Sequence, residues 1–365
     1  MPRLSTKRGS SRYQPYLFSI LLLLLTACSS TQPQSRPSFQ STSRTLVGVI
    51  RYDQFYSANA ADLATLSPSK WHDRIPWCLD MTADRVYGDC DSQQEFDQDM
   101  QYAITAKIDY FAHLSQGPGD PAIMYHLASR YKQQVKFTII IHASSDEDNT
   151  YLNGWTDAMI SWFKDSSYQT VMNGRPLVFM FEYYQSVIDL LRAKAQAAGL
   201  PNPYIVSVTP WSLGPGLDGY SSYMFAGGPG LTNYHGYPFQ VTMDANISDW
   251  SHNHKLYANN YIPNVTLGDD QRPRWEIPPP WGAFPNPWFE QPTIQQMTGL
   301  VGKALDFVKQ NPTGPNSILI YAWDEVAEGG WLVPTYTEGD ARVRALGDFL
   351  NQYGGGGILR RLGLR

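Results

Sequence analysis

The sequence predicts an α/β protein, a single (β/α)8 TIM barrel with long βα loops, and three observations predict it. Eight apolar, β-branched runs of strand length recur along the chain. Amphipathic stretches of helical length lie between them. No glycine-rich dinucleotide fingerprint follows the first run, as an open doubly wound sheet would carry. Strands that are apolar continuously are buried on both faces, as in parallel sheets covered by helices, and eight such units close naturally into a barrel.

In chain order the strands are TLVGVIRYD (45–53), IDYFAHLS (108–115), VKFTIIIHASS (135–145), RPLVFMFEYY (175–184), YIVSVTPW (204–211), YSSYMFAG (220–227), NVTLGDD (264–270) and SILIYAWDE (317–325). Helical patterns fall at 120–134, 153–165, 186–199, 293–310 and 339–350. The chain has 365 residues, 42% hydrophobic and 17% charged, enough to bury one large core or two small ones, and no internal boundary interrupts it. Its aromatic content, 11 Trp, 23 Tyr and 15 Phe, fits either a large aromatic core or a cleft that stacks flat rings and sugar faces.

Residues 1–27 read as a secretory signal rather than as part of the fold. Arg3, Lys7, Arg8 and Arg12 precede the apolar run YLFSILLLLLTA, which is short for a membrane span. Its end, LTAC, resembles the lipobox of bacterial lipoproteins, which implies cleavage before Cys28 and lipidation of that residue. Ser29 in the next position implies the outer membrane where the cell has one. The Ser, Gln and Pro rich stretch to residue 43 reads as a flexible tether, 44–353 as the folded domain, and 354–365 as a flexible, weakly basic tail. Loss of the four basic residues and no acids moves the net charge from -5 to -9. No basic face for nucleic acid is visible, so no nucleic acid partner is expected, and Cys28 would hold the chain at the membrane of a bacterial cell envelope. Cys78 and Cys90 are close enough in sequence to bridge and staple a loop in an exported protein. No His and Cys spacing supports a metal site, and no cofactor is expected.

In a (β/α)8 barrel the strand ends converge on one mouth, where chemistry sits. Here those ends are polar or aromatic: Arg51, Tyr52 and Asp53; His113; His142; Glu182 and Tyr183; Thr209 and Trp211; Tyr223; Asp269 and Asp270, with Arg272 and Arg274 behind; Asp324 and Glu325. Any one of them reads equally well as a solvated loop residue. Glycosidic cleavage needs a proton donor, a second carboxylate, and aromatic rings for the apolar faces of sugars. A serine hydrolase elbow and a phosphate-binding lysine loop are both missing from the sequence.

The stretch AWDEVAEGGWLVPT resembles the last-strand motif of the glycoside hydrolase family 99-like proteins, of endo-α-mannosidase type, in which N-E-W-x-E-G is usual. GVIRYDQFY, YQTVMNGRPLVFMFE and NVTLGDDQRPRW are similar to other segments of that superfamily, in order, over roughly residues 45–345. The resemblance implies that Glu325 and Glu328 are the catalytic pair of a retaining enzyme. It makes Glu325 the base that draws the proton from the sugar 2-hydroxyl and Glu328 the acid, then the base for water. Asp324 stands where the motif has Asn and Val326 where it has an aromatic, so the sugar is not transferable. A second possible pair is Glu182 with Glu325; carboxyls about 5 Å apart would suit a direct nucleophile, and roughly 6.5 to 9.5 Å an inverting water.

Asp53, His113, His142, Glu182, Tyr223, Asp269 and Trp331 are the expected substrate contacts. Each has a structural alternative: the histidines as hydrogen-bonded strand ends, Asp53 with Arg272 and Arg274 as a rim ion network, Trp331 as packing. The Pro and Trp rich segment after the seventh strand reads as a wall of the cleft. A glycan-binding lipoprotein without turnover, and an accessory protein of polysaccharide assembly or modification, are the alternative functions.

Overall fold

The computed structural model describes residues 44–354, apart from 54, 57–59, 116, 143–148, 210–212, 281 and 284. The signal, Cys28, the tether, Trp211 and the tail beyond Gly354 lie outside the described residues. Eight strands form the barrel, seven inside their expected segments and the sixth meeting its segment only at Tyr220: β1 Leu46–Arg51, β2 Tyr110–Ser115, β3 Lys136–Ile141, β4 Arg175–Met180, β5 Tyr204–Ser207, β6 Gly219–Tyr220, β7 Asn264–Thr266 and β8 Ser317–Tyr321. They pair in parallel in the order β7, β8, β1, β2, β3, β4, β5, β6. A parallel bridge from Tyr220 to Tyr261, with Ile262 N donating to Tyr220 O at 2.8 Å, joins β6 to the approach of β7 and closes the ring.

The period of two along each strand sorts side chains between two cores. Ile50, Tyr110, Ala112, Ile140, Phe179, Val206, Leu319 and Tyr321 share the barrel interior. Val47, Val49, Phe111, Ile139, Met180 and Ile320 face outward to the helices. Gly48 makes room inside for Tyr110: a Cβ at 48 would lie 2.1 Å from that ring. The Tyr110 hydroxyl is satisfied by Ser317 Oγ at 2.9 Å.

The helical layer comprises α1 Gln93–Thr105, α2 Pro121–Ala128, α3 Asn149–Trp162, α4 Gln185–Ala197, α5 Phe239–Tyr257, α6 Ile294–Gln310 and α7 Ala341–Gly354. Ser92 caps α1 by accepting from Glu95 N, Asp120 caps α2 with Pro at its first turn, and Thr293 with Gln296 forms a capping box on α6. Helices α1 and α5 have no counterpart among the five helical patterns read from the sequence, because each carries a polar residue in its buried stripe. Asp99 of α1 receives Arg51 Nη1 at 2.9 Å, and Asn246 of α5 accepts from Thr266 N at 3.0 Å. The apolar period is broken where a helix meets an outward-facing polar group of the barrel. No helix among the described residues intervenes between β5 and β6.

Candidate active site

Past Tyr321 the chain does not continue as strand. Asp324–Glu325 pairs antiparallel with Gly330–Trp331 across a 3-10 turn, Val326–Glu328, giving a very short hairpin at the end of β8. Two glycines make this possible. Gly329 has φ +90°, and a Cβ there would lie 2.5 Å from Asp270 N; a Cβ on Gly330 would lie 2.5 Å from the Tyr321 ring. Asp270 N donates to Glu328 O at 2.6 Å, so the end of β7 pins the turn that carries the second glutamate.

The two carboxylates are held differently. Glu325 is 2% exposed; Tyr223 donates its hydroxyl to Oε1 at 2.6 Å, and Oε2 is buried without a partner. Both oxygens of Glu328 are acceptors: Arg274 Nη1 donates to Oε1 and the Tyr321 hydroxyl to Oε2. The Tyr223 and Tyr321 rings meet edge-on with centroids 5.4 Å apart, so two neighbouring phenols each hold one glutamate. Arg274 also reaches Asp62 Oδ1 at 3.2 Å.

Burial raises the Glu325 pKa well above the ordinary range, and the Glu328 charge raises it further; Arg274 and the Tyr223 hydroxyl offset part of this. Asp269 is pushed up by burial and then by Glu328, while Asp324 is pushed up by burial against the pull of Arg51. Asp270 is the opposite case. Burial would raise it, but Arg272 and Arg74 grip the carboxyl and hold its pKa below the usual value. The phenol of Tyr52 is raised by burial and by the nearby Glu325 charge.

Four of the expected contacts gather on this mouth. Tyr223 touches Glu325, and Asp269 lies in the field of Glu328. His142 Nε2 is 3.2 Å from Glu182 Oε1, and its ring meets Phe181 edge-on at 5.3 Å; Phe181 in turn meets Tyr223 at 5.0 Å. The structure therefore carries the β3, β4 and β6 ends to Glu325 along one aromatic wall.

Three expectations are corrected. His113 is fully buried on the outward face of β2, where its Nε2 meets His126 Nδ1 at 3.2 Å and its ring packs on Phe96 and Phe111. Asp53 lies between Arg51 Nε at 2.6 Å and His113 Nδ1 at 3.3 Å, inside the same outer-layer network. Strand alternation points Arg51 and His113 toward the helices, so neither His113 nor Asp53 is presented to substrate. Trp331 is 1% exposed and lies under the Arg342 guanidinium at 4.2 Å, so it packs the hairpin and offers no platform. Val326 is likewise fully buried in the outer core. Asp324 accepts from Tyr52 N at 2.9 Å and ties the β1 end to the hairpin.

Sequence reasoning missed Asp62 and Tyr321 as members of the site and named Tyr52 only as a strand end. Tyr321 had one available signal, since Leu319 faces inward and the residue two further on must do so too. Cys78 and Cys90 are joined, with Cα atoms 5.4 Å apart, stapling the segment after the β1 end. Among the described residues no group of three or more His, Cys, Asp and Glu is placed to hold a metal ion.

No family model matches the sequence, and no curated protein matches it. Solved structures do. Two structures of the GH99 endo-α-mannosidase from Bacteroides thetaiotaomicron, one with bis-tris propane bound, each align at TM-score 0.52 and 14% identity, covering 85% of this chain and 97% of theirs. The AHE enzyme from Alicyclobacillus herbarius aligns at TM-score 0.46 and 8% identity, over 85% of this chain and 97% of its own. At such identity the likeness speaks for architecture alone, and in architecture this chain shares the (β/α)8 barrel of the GH99 endo-α-mannosidase.

Proposed function

We propose that the protein is a retaining glycoside hydrolase that acts on an oligo- or polysaccharide at the bacterial cell envelope. The observation that carries this reading is the unequal pair: Glu328 has both oxygens occupied by donors, whereas Glu325 has a buried, partnerless Oε2 and a raised pKa. Two neighbouring carboxyls in such unlike surroundings offer one acid and one base. The shared barrel of a mannosidase supports the same chemistry.

Glu325 Oε2 carries the proton and delivers it to the glycosidic oxygen as the bond from C1 to that oxygen breaks. Glu328, as carboxylate, accepts the proton of the sugar 2-hydroxyl, whose oxygen closes on C1. Glu325, now ionised, then takes a proton from water, whose oxygen reopens the ring at C1 as Glu328 returns its proton to O2. This order reverses the roles implied by the sequence resemblance. Arg274 and Tyr321 are the reason: both donate to Glu328, as they would to a carboxylate, whereas no donor reaches Glu325 Oε2.

The test uses a pair of glycosides, one alkyl and one aryl. In Glu325→Gln, cleavage of an alkyl glycoside is lost while a dinitrophenyl glycoside, whose leaving group needs no proton, keeps most of its first-step rate. Glu328→Gln loses both, and the opposite result returns the acid role to Glu328. The Arg274 to Glu328 ion pair favours a second reading, a glycan-binding protein without turnover. Binding of a glycan panel with no new reducing ends on any member would establish that reading. Attachment through Cys28 is proposed from the sequence, and Cys28→Ser moving the protein from the membrane to the soluble fraction is its test.

A further inference from the structure

The carboxylate pair leaves unused the aromatic side chains on the long loops that follow β6 and β7. Tyr234 is 70% exposed, more than any other large hydrophobic side chain among the described residues. Its φ is +61°, in the left-handed region that a bulky residue occupies only under strain. The backbone around it is fixed: Tyr234 N donates to Asn286 O at 3.2 Å, Trp288 N to His235 O at 3.0 Å, and Gly236–Tyr237 pairs with Trp288–Phe289. The ring is thus held out in solvent by a rigid, strained ledge.

Against it stands Trp275, edge-on at 5.6 Å, half-buried, with its indole Nε1 buried and without an acceptor. Trp275 follows Arg274 on the short helix Arg272–Glu276, and Arg274 grips Glu328. Phe289 N donates to Asp269 O at 2.9 Å, which ties the ledge to the same mouth. The charges nearby are satisfied within the protein: Glu276 by Lys70 at 2.6 Å, and Arg272 by Asp270 at 2.7 Å while it stacks on Trp288. A neutral corner of two aromatic rings matches the apolar face of an uncharged pyranose.

We propose that Tyr234 and Trp275 form a distal sugar subsite, which holds a ring remote from the cleaved bond and so favours glycans of several units over disaccharides. The inference rests on the glycan reading above. Its test measures dissociation constants by calorimetry in a Glu325→Gln background, with α- and β-linked manno-, gluco- and galacto-oligosaccharides of two to six units. Tyr234→Ala and Trp275→Ala should weaken chains of four or more units about three- to tenfold and leave disaccharides unchanged. Trp275→Phe should keep most of the affinity. Tyr234 is exposed, so its removal leaves the fold intact and the comparison valid. No weakening, or equal weakening at every length, overturns the subsite. Length-dependent binding in a wild-type protein that releases no reducing ends keeps the subsite and sinks hydrolysis; absence of binding to every oligosaccharide overturns both.

Discussion

Burial raises the pKa of Glu325, the nearby Glu328 charge raises it further, and one oxygen lies buried without a partner; this has two measurable consequences. A carboxyl whose folded pKa is raised binds more protons in the folded than in the unfolded state. Its contribution to stability is therefore full below the unfolded value near 4.5 and is lost as pH rises toward the folded value. Asp269 and Asp324 add to the same trend, and Asp270 opposes it. Glu325→Gln should accordingly raise Tm at pH 8 by about 2–4 °C and leave it unchanged near pH 4, by calorimetric scans. An equal difference at both pH values would contradict the buried charge. The second consequence concerns Tyr223, whose hydroxyl lowers the Glu325 pKa by donating to its ionised form. In Tyr223→Phe the alkaline limb of the kcat/KM profile should move to higher pH, because an acid must be protonated to act. Both glutamates could be found in the sequence because they lie between an apolar run and a glycine pair. Arg274 as the partner of Glu328 could not, because the two are joined only when β7 and β8 lie side by side.

At the scale of elements, seven of the eight strands lie where the sequence places them, because continuous apolar runs record burial on both faces, while the two-residue sixth strand only touches its expected segment at Tyr220. It did not reveal α1 and α5, whose buried stripes include Asp99 and Asn246. The same polarity makes α1 a structural clamp. Asp99 accepts from Arg51 Nη1 at 2.9 Å, Trp77 Nε1 at 2.9 Å and Trp323 Nε1 at 3.2 Å, joining β1, the stapled loop and the β8 end. Asp99→Ala should destabilise the protein by about 3 kcal/mol in urea unfolding, since it removes one of the two carboxylates on a buried guanidinium and the acceptor of two indoles. Asp99→Asn, which still accepts from the indoles, should cost less. The misplacement of Asp53 and His113 has a related cause. A polar residue at a strand end reads the same in sequence whether it faces the mouth or a charged partner on the covering helix.

Across the whole molecule, ring closure at Tyr220 and Tyr261 makes the mouth a common frame for residues 52 to 328. The Cys78 to Cys90 bridge, 12 residues apart, stiffens the part of that frame next to Asp99. Replacing both cysteines by serine should lower stability by about 2–4 kcal/mol, read as a fall in Tm under non-reducing conditions. The short hairpin after β8 has a practical corollary for chemical labelling. No lysine or arginine lies between Lys309 and Arg342, so trypsin releases both glutamates in a single fragment, Gln310 to Arg342. An epoxide-bearing sugar that esterified either acid would mark that one peptide, and only fragmentation between residues 325 and 328 would tell which oxygen had attacked.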